Sequence, residues 1–253
     1  MIVLSLVLLV FGIVVIAKSA NDWRRRQRIV GTPTTPIAHA RGDSVVEVKG
    51  RVLPTEQGTF RTPFSGRDAV FCCVRVQEYR RRGKRGYWHT LVEETEARDL
   101  FIEDGSGQMA RIATRSANLL LDKQSIATSG TFKDPPPHLV AYLRGRGVPT
   151  TTWLGFNRSL RYLEEVLAPG DAAYALGPSH REAGPPVHDG YRVAPTSRLV
   201  MSGFGQGDLE LLVSNKSEEE LTRNLGLGMT IGGLLVAGSL AAGLGALVYL
   251  VLR

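Results

Sequence analysis

The sequence predicts a mainly β soluble domain, a small barrel or sandwich with a few short helices, between two transmembrane α-helices. Residues 1–17 are apolar and uncharged, and residues 225–252 contain no ionisable side chain except Tyr249. The chain between them is rich in β-branched runs bounded by Gly and Pro, which is typical of strands. As a helix, the first segment would be roughly 25 Å long, close to the ~30 Å of a bilayer core.

Basic residues after the first apolar segment predict an uncleaved anchor. A cleaved secretory signal is the alternative, because the small residues from Ala17 to Ala20 resemble a cleavage site. In such a signal the basic residues precede the apolar run, whereas here they follow it, at Lys18, Arg24, Arg25, Arg26 and Arg28. The same asymmetry predicts a multi-pass protein of the cell membrane with its soluble domain in the cytoplasm.

The first predicted block of strands covers residues 45–132 and follows a basic juxtamembrane linker over residues 18–44. Its strands include VVEVKGRV from Val45 and AVFCCVRVQEYR from Ala69. Three further strands are predicted in YWHTLVEE, DLFIED and MARIAT. The step Asp104-Gly105 predicts a hairpin turn, because Gly accepts the positive φ that such turns need.

A second β-rich block is predicted over residues 150–216, after a Pro-rich link with one short helix at 133–149. It contains RYLEEVLAPGDAAYALG, in which Pro-Gly-Asp marks a turn, and it ends in two strands. A long polar loop is predicted over residues 177–197, between the end of this segment and the first of the two strands. The two blocks are compatible with one domain or with two small barrels.

The second apolar segment is predicted to continue from a capped helix, so that one helical unit covers residues 217–252. Ser217 and Glu220 have the spacing of a capping box. Small residues recur at four-residue spacing, which predicts packing against the first anchor or self-association with a copy of this helix. The residues of this face are Gly228, Gly232, Ala237, Ala241 and Gly245. The alternative is that glycine is simply common in membrane helices.

The order of several motifs resembles the GIDE family, the domain of a membrane-embedded mitochondrial ubiquitin ligase and of shorter prokaryotic relatives. These motifs are a strand ending in Gly-Arg-Val, PFSGRDAVFCCVRVQEYRRR, a Trp in the next strand, FIEDGSG and RYLEEVLAPGDAAYALG. The likeness covers most of the chain from about Val45 to the second apolar segment. It implies a role in recognising substrates or partners, whereas the ligase chemistry of the family belongs to a separate RING domain.

The residues needed for a RING are not present in this sequence. A RING binds two zinc ions through roughly eight Cys and His ligands in paired spacings. Here there are two adjacent cysteines and five histidines, none in a CxxC or HxxxH arrangement. We therefore expect no metal, no cofactor and no catalytic centre in this chain. The alternative is that it supplies the membrane and substrate-binding part of a ubiquitin-protein ligase.

Cys72 and Cys73 are predicted to be structural. Neighbouring residues of a strand point to opposite faces, so one thiol should be buried in the core and the other should face the opposite side of the sheet. Neither has a visible base to activate it. His89 follows Trp88 on the next strand, and we predict a hydrogen-bonding rather than a catalytic role for it. The adjacent carboxyls Glu164 and Glu165 are predicted to diverge and to lie at the surface.

The most basic part of the soluble region is a predicted hairpin tip. Net charge is +7, with a pI near 9.7, and no nucleic-acid-binding module is recognisable, so membrane lipid and other proteins are the expected partners rather than nucleic acid. Basic residues beside aromatic ones bind anionic lipid surfaces, and the alternative is a solvated tip. The basic residues are Arg80, Arg81, Arg82, Lys84 and Arg85, followed by Tyr87 and Trp88. The function expected is a recognition or scaffold module.

Overall fold

β-Strands form most of the regular structure of this chain. The computed structural model describes residues 32–184, 187–189, 192–194, 197–203 and 210–216. The strands are β1 (Ser44–Pro54), β2 (Phe60–Arg61), β3 (Asp68–Ala69), β4 (Phe71–Arg82), β5 (Arg85–Ala97), β6 (Leu100–Glu103), β7 (Met109–Ile112), β8 (Ala117–Leu120), β9 (Gln124–Ser129), β10 (Leu160–Leu167), β11 (Ala172–Ala183), β12 (Val187–Asp189), β13 (Arg192–Ala194), β14 (Ser197–Met201) and β15 (Leu211–Ser214). The described helices are Pro137–Arg144 and the 3₁₀ turns Ile37–His39 and Thr114–Ser116.

The prediction of two transmembrane helices is wrong. In the described residues, no helix is long and apolar enough to cross a membrane. The α-helix described, Pro137–Arg144, has 8 residues, whereas a span needs about 20. The predicted multi-pass location in the cell membrane, and the orientation of the soluble domain, depended on those two helices and are wrong for the same reason. The predicted segments 1–17 and 217–252 themselves lie outside the described residues. The mainly β character of the domain is confirmed.

Five strands close into a barrel. The ring runs β1-β6-β7-β14-β11 and returns to β1, because β1 pairs with both β6 and β11. All neighbours are antiparallel except β7 and β14, which are parallel. In chain order this is the connectivity 1-2-3-5-4-1, which is that of the five-stranded Greek-key barrel called the OB-fold. Strand β15 extends the sheet from β11, and β8 pairs with β15.

Closure of the barrel depends on β1, which changes partner partway along its length. Residues 44–51 pair with β11 and residues 51–54 with β6. Gly50 lies at this change, where a Cβ atom would overlap the backbone carbonyl group of Glu103. The missing side chain therefore allows the two strands to approach closely enough to complete the ring.

A second, four-stranded antiparallel sheet is built from two insertions into the barrel. Its order is β5-β4-β10-β9. The hairpin β4–β5 is inserted between β1 and β6, and β9 with β10 between β7 and β11. Strands β4 and β10 pair over their length, from Leu160 opposite Glu78 to Leu167 opposite Phe71. The second sheet thus forms only when two distant parts of the chain meet.

The first half of strand β4, residues 71–76, is largely buried on both faces and joins two hydrophobic cores. Cys73 and Phe71 belong to the core of the barrel. Cys72 and Val74 belong to a second core, which also contains Leu139 and other residues of the helix Pro137–Arg144. The prediction that the two cysteines face opposite sides of the sheet is confirmed, because both are buried, one in each core.

Two loop predictions are wrong. The first part of the polar loop predicted over 177–197 is a strand, because β11 continues to Ala183. Along its length β11 pairs first with β1 and β15 and then with β14. The end of the predicted linker is ordered as well. Ile37 is fully buried, and its N–H donates to Asp104 Oδ2 at 2.7 Å. Aliphatic burial thus fixes a segment whose Pro and Thr content predicted a loop.

Replacing Gly50 should open the barrel. We expect Gly50→Ala to lower the free energy of unfolding by about 2–4 kcal/mol, because backbone atoms of β6 must move away. Gly145→Ala is the control, since its φ of −60° suits alanine and the nearest atoms are 3.6 Å away. It should stabilise by up to about 1 kcal/mol. Urea unfolding followed by circular dichroism measures both, and equal stabilities would contradict the proposed role of Gly50.

Candidate functional site

The predicted basic hairpin tip is confirmed. Strand β4 ends at Arg82 and β5 begins at Arg85, and Gly83 has a φ of 62° at the first central position of the turn, as a type II′ turn requires. Arg80 forms an ion pair with Glu78 at 2.6 Å. Within the described part of the chain the other four basic residues form no ion pair, and all four are exposed. They are Arg81, Arg82, Lys84 and Arg85.

Two connections of the second sheet, the β4–β5 turn and the β9–β10 segment, lie at the same end of its strands. The start of β10 lies beside the end of β9 and beside Glu78 of β4, and β4 and β5 continue past this point as a hairpin arm that ends at Arg82 and Arg85. The opposite end of the sheet, at Phe71 and Leu167, packs into the barrel core. We call the end that projects from the barrel the distal end and define it as residues 79–88, 130–134 and 149–159.

Large apolar side chains are exposed at the distal end. Phe132 is 100% exposed and Trp153 is 91% exposed. Of the nine large hydrophobic residues exposed among the described residues, seven lie here, and only Val45 and Met109 lie elsewhere. The seven are Tyr79, Tyr87, Trp88, Phe132, Trp153, Leu154 and Phe156. Such a concentration marks an interaction surface, since single exposed apolar residues are otherwise scattered.

The loop that carries Trp153 has a defined conformation. Thr151 forms a bridge with Asn157, and the N–H of Thr152 donates to the carbonyl oxygen of Phe156 at 2.7 Å. Gly155 has a φ of 81°, which few other residues adopt. These contacts form a small hairpin, and its tip presents Trp153 and Leu154 to solvent.

Hydrogen bonds tie the three segments of the distal end together. Arg158 Nε donates to Glu78 Oε1 at 2.6 Å, and the N–H of Tyr79 donates to the carbonyl oxygen of Ser159 at 2.9 Å. Asn157 Nδ2 donates to Asp134 Oδ1 at 2.6 Å. Burial alone would raise the pKa of Glu78, but the hydrogen bonds from Arg158 and Arg80 outweigh it and lower the pKa. The ionised carboxylate therefore joins the loop to β4.

An aromatic and guanidinium stack lies along the arm formed by β4 and β5. The rings of Tyr79 and Trp88 meet edge to face with centroids 5.3 Å apart, and the guanidinium of Arg161 lies 4.2 Å from the Trp88 ring centroid. A Cβ atom at Gly86 would overlap the hydroxyl of Tyr79. Gly86 thus leaves room for the tyrosine to lie across β5, so the arm keeps a fixed aromatic face.

The cysteines are not arranged for nucleophilic chemistry. Burial, together with the nearby carboxylate of Glu164, raises the pKa of Cys72 to about 12, so the thiol stays protonated. Thr95 faces Cys73 in the register of β4 and β5, whereas His89 faces Glu78. Six residues along a strand correspond to roughly 20 Å, so His89 lies too far along β5 to serve Cys73 as a base. His89 is exposed on the arm.

The prediction that Glu164 and Glu165 are surface charges is wrong. Glu164 is 1% exposed and Glu165 is 8% exposed. Their divergence is confirmed. Glu164 Oε1 accepts hydrogen bonds from the N–H groups of Phe64 and Ser65, at 3.2 and 3.4 Å, inside the second core. Glu165 points to the barrel side and binds Arg75. Each carboxyl group thus contacts a different part of the structure, Glu164 a turn of the second core and Glu165 an arginine of β4.

A groove of about 860 Å³ lies between the second sheet and the segment 114–119 of the barrel. Arg75 lies on its wall and pairs with Glu93 at 2.7 Å and with Glu165. The charged groups at this wall are therefore bound to each other. Their pairing links β5, β4 and β10, which is a structural role.

Neither a metal site nor a known relative identifies the chain. In the described ranges, no group of three or more His, Cys, Asp or Glu residues could hold a metal ion. The chain matches no family model, and no curated protein and no solved structure is significantly similar to it. The resemblance to the GIDE family therefore stays a prediction. The packing face Gly228, Gly232, Ala237, Ala241 and Gly245 lies outside the described residues.

Sequence reasoning found the basic tip but missed the exposed apolar residues of the two loops. Phe132 and Trp153 belong to no periodic run, so neither a helix nor a strand pattern marks them. The available signal was local. In TTWLGFN three large apolar residues surround a glycine between polar residues, a composition that a solvated loop does not need.

Both cysteines should resist thiol reagents in the folded protein. We expect negligible labelling of Cys72 and Cys73 by an alkylating reagent at pH 8, because both side chains are buried and the pKa of Cys72 is about 12. Both should react in denaturant. Met109→Cys, at an exposed position, is the positive control. Rapid labelling of the unsubstituted native protein, read by mass spectrometry, would show that a thiol is accessible.

Removing the charge of Glu78 should destabilise the distal end. We expect Glu78→Gln to lower the free energy of unfolding by about 1–3 kcal/mol at pH 7, because Arg158 and Arg80 lose a partly buried anionic partner. Since the pKa of Glu78 is lowered on folding, its stabilisation is complete above the ordinary value of 4.5 and is lost as pH falls through the folded pKa.

The difference between wild type and Glu78→Gln should therefore shrink in acid. Unfolding by urea at pH 7 and at pH 3 measures it. Glu56→Gln, at an exposed position, should have little effect at either pH and serves as the control. A difference that grows on acidification would contradict the assigned role of the carboxylate.

Proposed function

We propose that this chain is a recognition module that binds its partner through the distal end. The observation that carries the proposal is the concentration of exposed aromatic and basic side chains there. Seven of the nine exposed large hydrophobic residues of the described chain occupy this end, together with four exposed basic residues that have no acidic partner in that part of the chain. Elsewhere the large apolar side chains are mostly buried in the two cores.

The arrangement of the scaffold supports the same proposal. Strand β4 contributes side chains to the barrel core and to the second core, so the arm is held by buried structure at its base. Midway along the arm, Arg158 donates to Glu78 and the N–H of Tyr79 donates to Ser159, so the neighbouring loop is fixed to β4. A pre-formed surface loses less conformational entropy when a partner binds, which favours a binding role.

The buried ionisable groups support binding rather than catalysis. Glu164 and Glu165 hold backbone N–H groups and an arginine, and the thiol of Cys72 is kept protonated by burial. The role in recognition that the GIDE resemblance implies fits this picture. If the chain is instead the substrate-binding part of a ubiquitin ligase, the same surface would serve, since that alternative also requires recognition without catalysis.

Site-specific photo-crosslinking tests the proposal. We expect a benzophenone amino acid at Trp153 to crosslink a partner, protein or lipid, when the full chain is expressed in its own cells, and mass spectrometry of the product identifies which. The same probe at Met109, which is also exposed but lies in the barrel, is the matched control. Crosslinks from position 153 and not from position 109 are the expected result. Equal yields, or none at either position, would contradict recognition by the distal end.

A further inference from the structure

We infer that the ligand of the distal end is the surface of an anionic lipid bilayer. The inference rests on the proposed function and names its partner. The contact would be interfacial, with the loop tips inserted among the headgroups, and it requires no spanning helix. Two independent features of the distal end carry it, the shape of its apolar surface and the sign of its charge.

The apolar side chains protrude from turns instead of lining a pocket. Phe132 lies in the turn that joins Gly130 to Lys133, and Trp153 and Leu154 lie at the tip of the small hairpin. Exposures of 100% for Phe132 and 91% for Trp153 mean that almost no protein atom touches either ring. A lipid interface can surround a protruding ring on all sides, and Trp is enriched at that depth.

A protein partner fits this shape less well. Binding hot spots of protein interfaces are aromatic or arginine side chains packed in desolvated pockets with a rim around them. A bound protein would have to supply separate pockets for Phe132 and Trp153, which stand on different turns. A fluid bilayer imposes no such geometric match, so it accommodates both turns at once.

The charge of the distal end suits anionic headgroups. The basic side chains of Arg81, Arg82, Lys84 and Arg85 are exposed without an ion pair in the described structure. Of the acidic residues nearby, Glu78 is paired with two arginines, and Asp134, which accepts a hydrogen bond from the neutral Asn157, contributes one negative charge against the four positive ones. The excess is therefore positive, and lysine and arginine next to an anionic bilayer are attracted to it within about a Debye length.

Fluorescence quenching by brominated lipid tests the inference on the full chain. Trp23→Phe and Trp88→Phe leave Trp153 as the single tryptophan. The vesicles contain equal parts of phosphatidylglycerol and brominated phosphatidylcholine. We expect quenching of Trp153 and a blue shift of its emission, with both effects weakened in vesicles of brominated phosphatidylcholine alone and at high salt. The control adds Met109→Trp and Trp153→Phe, and its tryptophan should not be quenched.

Two further variants separate the two features. Phe132→Ser combined with Leu154→Ser should weaken the vesicle affinity of the single-tryptophan protein roughly tenfold or more, because the inserted apolar area is lost. Both positions are exposed, so the fold should be unaffected. Changing Arg81, Arg82, Lys84 and Arg85 to Gln should abolish the preference for anionic vesicles, as the charge attraction is lost.

The outcomes distinguish the inference from the proposed function. Unquenched Trp153 in anionic vesicles would overturn the lipid inference, and so would equal quenching at positions 153 and 109. If Trp153 is unquenched while the photo-crosslinking probe at that position captures a protein, the distal end recognises a protein and the proposed function stands. If neither experiment responds, both are overturned.

Discussion

The burial of β4 on both faces is the constraint on which the rest of the structure depends. Its alternate side chains belong to different cores, Cys73 to the barrel and Cys72 to the layer between the second sheet and the helix. A one-residue shift in register would exchange the two sets and place each in the wrong core. Because β4 pairs with β5 on one side and β10 on the other, its register also fixes theirs. The position of every distal loop follows from that.

The candidate site lies in the insertions of the barrel. In the OB-fold, loops between strands commonly carry the ligand site, and here the two longest insertions combine into a separate sheet. At one end of that sheet, Phe71 and Leu167 pack in the barrel core. The distal end lies outside this core, so it carries exposed aromatic residues without loss of core packing. Core packing and the exposed apolar side chains therefore lie at opposite ends of the same four strands.

Local patterns of the sequence predicted the local elements and not their assembly. The β-branched run at Val45, the hairpin tip at Arg82 and the facing of Cys72 and Cys73 follow from period-two alternation and turn chemistry, and the structure has them. The closed barrel depends on pairing of β1 with β11, which no local pattern encodes. The burial of Glu164 depends on N–H groups from a distant turn. The exposed loop around Trp153 has no hydrophobic periodicity that would mark it. The terminal apolar segments predicted membrane-spanning helices, and no described helix is long and apolar enough to be one.

The insertion of the second sheet has a consequence during synthesis. Strand β4 leaves the ribosome with β5 directly behind it, whereas β10, the partner of its other edge, is made about eighty residues later. Until then the run from Phe71 to Val76 is an apolar strand with an open edge, which is prone to aggregate. Charged residues that flank such a strand suppress aggregation. The arginines from Arg80 to Arg85 are in that position, so we expect them to limit aggregation of the nascent hairpin until β10 has been made.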